Sequence, residues 1–146
     1  MVITRTVTVD RPVEAVFDYV SDFTTTTEWD PGTVRTVRVT GDGGGGTTYR
    51  NTSRFLGRTT ELTYVVRELS HGERISLRGE NATLVALDTM TLRQVEPGHT
   101  ELTYRAELIF KGAWRLVAVL LAPAFRRLGD QAQAGLSRAL NALPTP

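Results

Sequence analysis

The 146-residue sequence predicts an α+β fold in which a curved antiparallel sheet of about seven strands surrounds one long C-terminal helix, with two short helices after the first strand. Up to residue 110, stretches of alternating apolar and polar residues have the period of two that half-buried strands show. Short turns, several of them glycine-rich, join these stretches, and such links connect antiparallel neighbours. After Gly112 the apolar residues recur every three or four positions, which indicates a helix. Residues 1–146 are therefore expected to form one domain.

The first part of the chain predicts a strand followed by a corner of two short helices. Residues 2–10 are rich in β-branched side chains and alternate as a strand with one buried face should. Capping residues, a first-turn proline and an early acidic residue signal helix starts, and a turn sequence signals the end of the corner. These signals are Asp10, Pro12 and Glu14 for the first helix, Ser21 or Asp22 for the second, and Trp29 to Gly32 for the closing turn.

Six more strands are expected between the helical corner and the C-terminal helix. Their predicted bounds are residues 33–40, 47–55, 59–69, 74–80, 83–95 and 100–110. The glycine-rich run 41–46, between the first two of them, matches the spacing of a dinucleotide-binding fingerprint. The residues after it favour a strand, whereas a phosphate site needs a helix N-terminus, so a hairpin loop is the better interpretation.

The C-terminal helix is expected to run from about Gly112 to Leu143 with one apolar face. That face consists of Val117, Leu121, Phe125, Leu128, Ala132, Leu136, Ala139 and Leu143. Pro123 has no N–H to donate to the Val119 carbonyl, and its ring crowds that oxygen, so a kink or break is predicted there. A cavity mouth is expected beside it.

Composition and charge exclude several kinds of site. The formal net charge is +1, and no basic block or stripe is present, so nucleic acid is not an expected partner. The absence of cysteine excludes a disulfide framework and the common thiolate metal sites. His71 and His99 lie in predicted turns without further metal-ligating residues at suitable spacing. We therefore expect neither a metal site nor a cofactor.

The sequence also predicts where the protein is found. Its longest apolar run in the C-terminal part, residues 116–122, is far shorter than the roughly 20 residues of a membrane-spanning helix. The N-terminal segment lacks the charged and apolar parts of a secretory signal, so a cytoplasmic location is expected. Basic charge is almost entirely arginine, with Lys111 the only lysine, and Ala, Gly, Val and Thr are abundant. Such usage is typical of a GC-rich bacterial genome.

Four stretches of the chain, together with the element order, resemble a known superfamily. They are Leu77 to Glu80, Leu87 to Leu92, Gly98 to Tyr104 and Gly112 to Leu140, and they accompany the Trp29 to Pro31 corner. The chain resembles the START-like, or SRPBCC, superfamily of helix-grip proteins over nearly its whole length, and its polyketide cyclase/dehydrase-like branch in particular. The resemblance implies one START-like domain with a pocket for lipids, polyketides or other apolar ligands. Only some members are enzymes, so it implies a pocket more strongly than a reaction.

Alternation along the strands indicates which side chains face that pocket. The candidates for its lining are Trp29, Tyr49, Tyr64, Leu77, Asp88, Met90, Tyr104, Leu108, Leu121 and Phe125. The tyrosines either offer hydroxyl groups to a ligand or are core aromatics whose hydroxyls reach water at the rim. Arg78 precedes a glycine, and a bulge there would turn this arginine inward.

Asp88 is a carboxyl group that alternation places among apolar residues, on the same face as Ala86 and Met90. A buried carboxylate costs several kcal/mol unless it is paired or protonated. One interpretation is a ligand-orienting or acid/base group near Tyr104 or Tyr64. The other, which the sequence favours, is that a bulge turns Asp88 outward or that an arginine pairs with it.

Three functional hypotheses follow from the sequence. The first is a protein that binds an apolar small molecule, lipid- or polyketide-like, in a cavity between the sheet and the C-terminal helix. The second is an enzyme, a polyketide cyclase, aromatase or dehydratase that uses tyrosine and aspartate groups of the cavity, although no catalytic signature is recognisable. The third is an interaction module in which residues 116–125 dock on a partner or on a second copy, giving a homodimer.

Overall fold

The structure, a computed structural model that describes residues 1–145, has the predicted order of elements. In chain order they are β1 (Val2–Val9), α1 (Val13–Val20), a 3₁₀ turn (Phe23–Thr25), α2 (Thr26–Trp29), β2 (Thr33–Thr40), β3 (Thr48–Phe55), β4 (Arg58–Ser70), β5 (Arg74–Glu80), β6 (Leu84–Glu96), β7 (His99–Phe110) and α3 (Trp114–Asn141). The strands form one curved antiparallel sheet in the order β1-β7-β6-β5-β4-β3-β2. The α+β helix-grip fold is therefore confirmed.

The strand bounds agree with the predicted ones to within one residue at each end. The glycine-rich run between β2 and β3 is a loop, as expected, and not a phosphate-binding turn before a helix. Gly41 and Gly46 have φ angles of 94° and 85°, which glycine adopts without steric cost. The Gly46 N–H also donates to the Val66 carbonyl at 2.9 Å, which ties the loop to β4.

The helical corner follows one of its two predicted capping signals. The Asp22 carboxylate accepts a hydrogen bond from the Thr24 N–H at 3.1 Å and begins the 3₁₀ turn. The prediction that Asp10 caps α1 was wrong, because the capping position is Pro12, whose extended backbone carries no side-chain cap. Asp10 lies two residues too early, and its carboxylate instead approaches His99 Nε2 at 3.3 Å.

The long helix α3 continues without interruption through Pro123, so the predicted break does not occur. Proline removes the hydrogen bond to the Val119 carbonyl, but Val119 is 73% exposed, and water can satisfy that oxygen. The buried face consists of Ala118, Gly129, Ala132, Gly135, Leu136 and Leu140. The prediction for Val117 was wrong, because α3 contacts mainly β1 and α2, which leave this residue exposed.

The first turns of α3 carry the most exposed large apolar side chains of the described residues. Leu116 and Leu120 are 73% and 79% exposed. The Trp114 ring lies beneath the Arg58 guanidinium, whose carbon is 5.4 Å from the ring centroid. A homodimer through residues 116–125 stays a prediction.

Two glycines of α3 allow close contact with the rest of the fold. Gly135 lies against the Trp29 carbonyl group, and a Cβ at this position would overlap the carbonyl oxygen. At Gly129 a Cβ would lie 2.6 Å from Cγ2 of Ile3 on β1. Real Cβ atoms do not approach so closely, so α3 can pack this tightly on α2 and β1 only because both residues are glycine.

Replacing Gly135 by alanine is therefore expected to destabilise the fold. The added methyl group has to displace the backbone of α2, and overpacking of this kind typically costs about 1–3 kcal/mol. The free energy of unfolding, measured by denaturant titration, should fall by about that amount in Gly135→Ala. Gly45→Ala is the matched control, because a Cβ at position 45 meets no atom within 4 Å. Equal losses in the two variants would contradict this account of the helix contact.

Candidate functional site

A partly enclosed space lies between the inner face of the sheet and α3. Its volume is about 160 Å³, and its wall is mostly apolar, with contributions from β1, β3, β4, β6 and β7, from α2 and from the middle of α3. The volume is similar to that of an apolar cavity of about 150 Å³ known to hold benzene. It is well below the roughly 300 Å³ at which pockets for larger small molecules begin. In this conformation the space fits a ligand of about one ring.

The structure brings six of the predicted lining residues together around this cavity. They are Trp29, Tyr64, Asp88, Tyr104, Leu108 and Phe125. It places the other four elsewhere. Leu77 and Met90 are buried in the packed core, and Leu121 is half-buried on α3 outside the cavity wall. Tyr49 is also buried, but it borders a separate depression beside Asp22.

Tyr64 reaches the cavity because of a glycine on the neighbouring strand. Tyr64 of β4 lies directly opposite Gly79 of β5 in the strand register. A Cβ at position 79 would lie 2.7 Å from the Tyr64 ring, so the ring can lie across β5 only because this residue is glycine. Phe23 packs on the other side at a centroid distance of 4.8 Å. The tyrosine ring is thus held between a strand and the helical corner.

Asp88 points into the protein, contrary to the interpretation that the sequence favoured. It lies in regular register between Leu77 and Ala106 on the neighbouring strands, with no bulge at this point. Its side chain is buried, with the residue only 6% exposed. No arginine of the described residues pairs with Asp88, and Arg78, which a bulge was predicted to turn inward, donates to Glu80 at 2.9 Å on the outer face. Both parts of that interpretation were therefore wrong.

The surroundings of Asp88 favour its protonated form. Burial and, to a smaller extent, the nearby carboxylate of Asp30 together raise its pKa from 3.8 to about 7. A hydrogen bond with the Tyr64 hydroxyl acts in the opposite direction, because it stabilises the ionised form. Protonation thus lowers the cost of burying this carboxyl group, because the neutral form carries no charge into the interior.

Asp30 is a second cavity carboxyl group that the sequence analysis treated only as part of a turn. It lines the cavity, and it accepts hydrogen bonds from the Gly32 N–H and the Thr33 hydroxyl, both at 3.0 Å. Burial raises its pKa, and these two hydrogen bonds partly offset the rise. The turn sequence was the only local signal, and it did not distinguish a structural aspartate from one that also faces a cavity.

The remaining polar groups near these carboxyls are hydrogen-bond donors. Burial and the charges of Asp88 and Asp30 raise the pKa of Tyr64 and of Tyr104 well above 10, so both hydroxyls keep their protons. Trp29 packs edge-to-face on Tyr104 at a centroid distance of 5.6 Å. Among the buried side-chain nitrogen and oxygen atoms of residues 1–145, Nε1 of Trp29 is the one without a hydrogen-bond partner. This end of the cavity, with Trp29, Asp30, Tyr64, Asp88 and Tyr104, is called the inner end below.

Aromatic side chains close the opposite end. Phe125 of α3 stacks on Phe55 of β3 at 4.4 Å between centroids and 15° between planes. Phe110 of β7 packs on the Phe125 ring, with 5.6 Å between the ring centroids. A surface depression beside Pro123 shares Phe55 and Arg54 with the cavity wall, so the depression adjoins the cavity beside this aromatic cluster. The cluster of Phe55, Phe110 and Phe125 is called the mouth.

Two further features of the described residues bear on function. Within residues 1–145, no group of three or more His, Cys, Asp or Glu side chains is arranged to hold a metal ion. None of the helices in that range is long and apolar enough to cross a membrane.

Comparison with known proteins gives one match to a family model. The model described as "Polyketide cyclase / dehydrase and lipid transport" matches residues 1–141. A search of the curated proteins finds no match.

Several solved structures share the fold. A protein from Thermus thermophilus is 13% identical, with a TM-score of 0.81 over 97% of this chain and 98% of that one. The Zhui aromatase/cyclase from Streptomyces sp. R1128 is 15% identical, with a TM-score of 0.74 over 100% and 99%. A START superfamily protein from Mycobacterium smegmatis is 16% identical, with a TM-score of 0.70 over 96% and 94%. At these identities the similarity establishes the fold, and it agrees with the predicted superfamily.

The raised pKa of Asp88 predicts that stability falls as the pH rises. Between the unfolded value near 3.8 and the folded value of about 7, the unfolded chain loses its proton while the folded protein keeps it. The free energy of unfolding therefore decreases across this window and becomes level above it. In Asp88→Asn this contribution is absent, so the variant should gain up to about 4 kcal/mol relative to the parent between pH 4 and pH 8.

Denaturant titrations of both proteins at several pH values measure this difference. Asp18→Asn, which changes an exposed aspartate of α1, is the control and should keep the parent's slope. Asp30 remains in every variant and leaves some pH dependence of the same sign. The same pH dependence in Asp88→Asn and the parent would show that Asp88 is ionised in the folded protein throughout.

Proposed function

The chain belongs to the polyketide cyclase/dehydrase and lipid transport family, and on that premise we propose that it binds an apolar small molecule, lipid- or polyketide-like, between the sheet and α3. The observation that carries the proposal is the partly enclosed, mostly apolar cavity of about 160 Å³ at that place. Protein interiors are ordinarily packed as densely as organic crystals, so an unfilled apolar space favours a ligand. The similar structures described as an aromatase/cyclase and as a START superfamily protein support the same interpretation.

The size of the cavity limits how a ligand enters. A one-ring molecule fits the space as it stands, whereas a lipid or polyketide chain needs more volume. The mouth is where this volume can be gained, because Phe125 lies two residues after Pro123 on the poorly covered part of α3. Separation of Phe125 from Phe55 would join the cavity to the depression outside. Each CH₂ group then buried contributes about 0.8 kcal/mol to binding.

Native mass spectrometry tests the binding function directly. The purified protein is measured before and after exposure to a lipid and metabolite extract of its source, and an adduct of defined mass is expected. Ala106 lines the cavity on β7, and Ala106→Leu adds three carbon atoms to the space. The amount of adduct on this variant should be at least tenfold lower than on the parent, because the cavity volume that remains is too small.

Ala134→Leu is the matched control for the cavity-filling variant, since it makes the same change on the exposed face of α3. It should keep the adduct at the parent's level. Equal adduct on Ala106→Leu and the parent would place any bound molecule outside the cavity, and no adduct from any extract would count against the binding function.

A second candidate function, catalysis by a cyclase, aromatase or dehydratase, is favoured by one observation. The pKa of Asp88 of about 7 lies near the operating pH of most enzymes, where an acid or base is most effective. Ring closure in a polyketide-like chain begins with removal of a proton beside a carbonyl group. In this scheme the Asp30 carboxylate accepts that proton, while protonated Asp88 and the Tyr104 hydroxyl donate hydrogen bonds to the oxygen that becomes negative.

Exchange of hydrogen for deuterium tests this second function on a probe that fits the cavity. Acetophenone in D₂O should exchange its methyl protons faster with the protein than in buffer of the same pD, as followed by NMR. Asp30→Asn should lower the protein-dependent rate by at least a hundredfold, because the base is removed. Tyr49→Phe, a change outside the cavity wall, should leave it unchanged. Exchange at the buffer rate throughout would contradict a catalytic role and leave the binding function in place.

A further inference from the structure

We propose that the inner end of the cavity is a subsite for one uncharged oxygen atom of the ligand, a carbonyl or hydroxyl group, bound by the Tyr104 hydroxyl and the Asp88 carboxyl. The inference rests on the proposed binding function and narrows its ligand class. It selects apolar molecules that carry a neutral oxygen at the end that enters first. It excludes carboxylates, such as free fatty acids, from presenting their charged end there.

Some polar side chains of the cavity wall already have hydrogen-bond partners within the protein. The Thr26 and Thr36 hydroxyls are 2.7 Å apart, and the Asn51 amide donates to Thr36 at 2.8 Å. The Ser53 hydroxyl in turn donates to the Asn51 side-chain oxygen at 2.6 Å. This network joins β2, β3 and α2, and it accounts for these groups without a ligand.

The inner end differs, because its groups have few partners. No hydrogen bond offsets the rise in the pKa of the Tyr104 hydroxyl. The hydrogen bond affecting the pKa of Asp88 comes from the Tyr64 hydroxyl. Trp29, whose ring packs on Tyr104, has the buried Nε1 without a partner in residues 1–145. The buried Trp29 Nε1–H without an acceptor costs free energy, and an oxygen atom of a ligand at this end would recover it.

The charges around the inner end favour a neutral group there. Asp30 and Asp88 both line the cavity, and Arg54, at the mouth, is the only cationic residue of the described cavity wall. A ligand carboxylate at the inner end would therefore lose its hydration beside the Asp30 carboxylate without a compensating cation. An ammonium group would have to lose its hydration in a mostly apolar space, where burial opposes ionisation of the acids it would pair with. A carbonyl or hydroxyl oxygen avoids both costs.

Four one-ring probes of similar size distinguish these cases: ethylbenzene, acetophenone, benzoate and benzylamine. Their dissociation constants are measured by NMR titration of the ¹⁵N-labelled protein at pH 6, where Asp88 is mainly protonated. Acetophenone should bind about tenfold more tightly than ethylbenzene, and benzoate and benzylamine more weakly than either. Tyr104→Phe should reduce the preference for acetophenone at least threefold, because it removes a donor but keeps the ring that packs on Trp29. Tyr49→Phe is the control and should keep the full preference.

The same titration at pH 8 tests the role of Asp88. The titratable and charged groups that face this carboxyl are Asp30 after α2, Tyr64 on β4 and Tyr104 on β7, with Arg54 of β3 at the mouth. Loss of the Asp88 proton should weaken acetophenone binding several-fold more than ethylbenzene binding. Asp88→Asn, which keeps a neutral donor, should show no such difference between the two pH values.

The outcomes separate this inference from the binding function on which it rests. Equal affinity for ethylbenzene and acetophenone, or tightest binding of benzoate or benzylamine, would overturn the neutral-oxygen subsite while leaving the cavity a binding site. Failure of all four probes to bind would count against the binding function itself.

Discussion

The contact between Gly135 and the Trp29 carbonyl group determines where α3 lies over the sheet. It joins the C-terminal half of the long helix to the last residue of α2, and no side chain intervenes. Trp29 and the following Asp30 are thereby held at one end of the space between helix and sheet. The second close approach, of Gly129 to Ile3, fixes the helix to β1. With α3 held at two points, the part of the interior that its small residues do not fill remains as a cavity.

The cavity combines two environments because of how the sheet presents its side chains. Toward the mouth the strands and α3 contribute phenylalanine and leucine, which exclude water. At the other end, β4, β6 and β7 contribute Tyr64, Asp88 and Tyr104. A shift of one residue in the register of β6 would turn Asp88 outward together with every apolar side chain on its face. The position of this carboxyl is therefore tied to the packing of the whole strand, and it cannot be relieved locally.

Sequence reasoning could predict the elements because their signals are local. Alternation gave the strand bounds to within one residue, and Asp22 was a correct capping signal. The failure at Asp10 has the same origin, since a helix start also depends on the backbone path through Pro12. The buried face of α3 was only partly predictable, because Val117 follows the apolar period but lies where β1 and α2 do not cover it.

The candidate site was harder to predict because it depends on contacts between distant residues. Alternation placed Asp88 correctly inside, but the cost of burying a charge argued against that position. The structure meets this cost through protonation and the Tyr64 hydroxyl, which only the pairing of Tyr64 with Gly79 brings into place. The turn sequence could not show that Asp30 faces a cavity, because its hydrogen bonds to Gly32 and Thr33 would form with or without one.

The sparse covering of the first turns of α3 has a consequence for how fast the cavity exchanges its contents. Residues 114–124 are mostly exposed, so unfolding this segment sacrifices little buried apolar surface. Its opening free energy is therefore smaller than that of the domain as a whole, and the turns that carry Gly129 and Gly135 can stay in place while it opens. If the proposed binding function holds, uptake and release would proceed by sub-global fluctuations at one end of a helix, and the residence time of a bound molecule would be set independently of the lifetime of the native state.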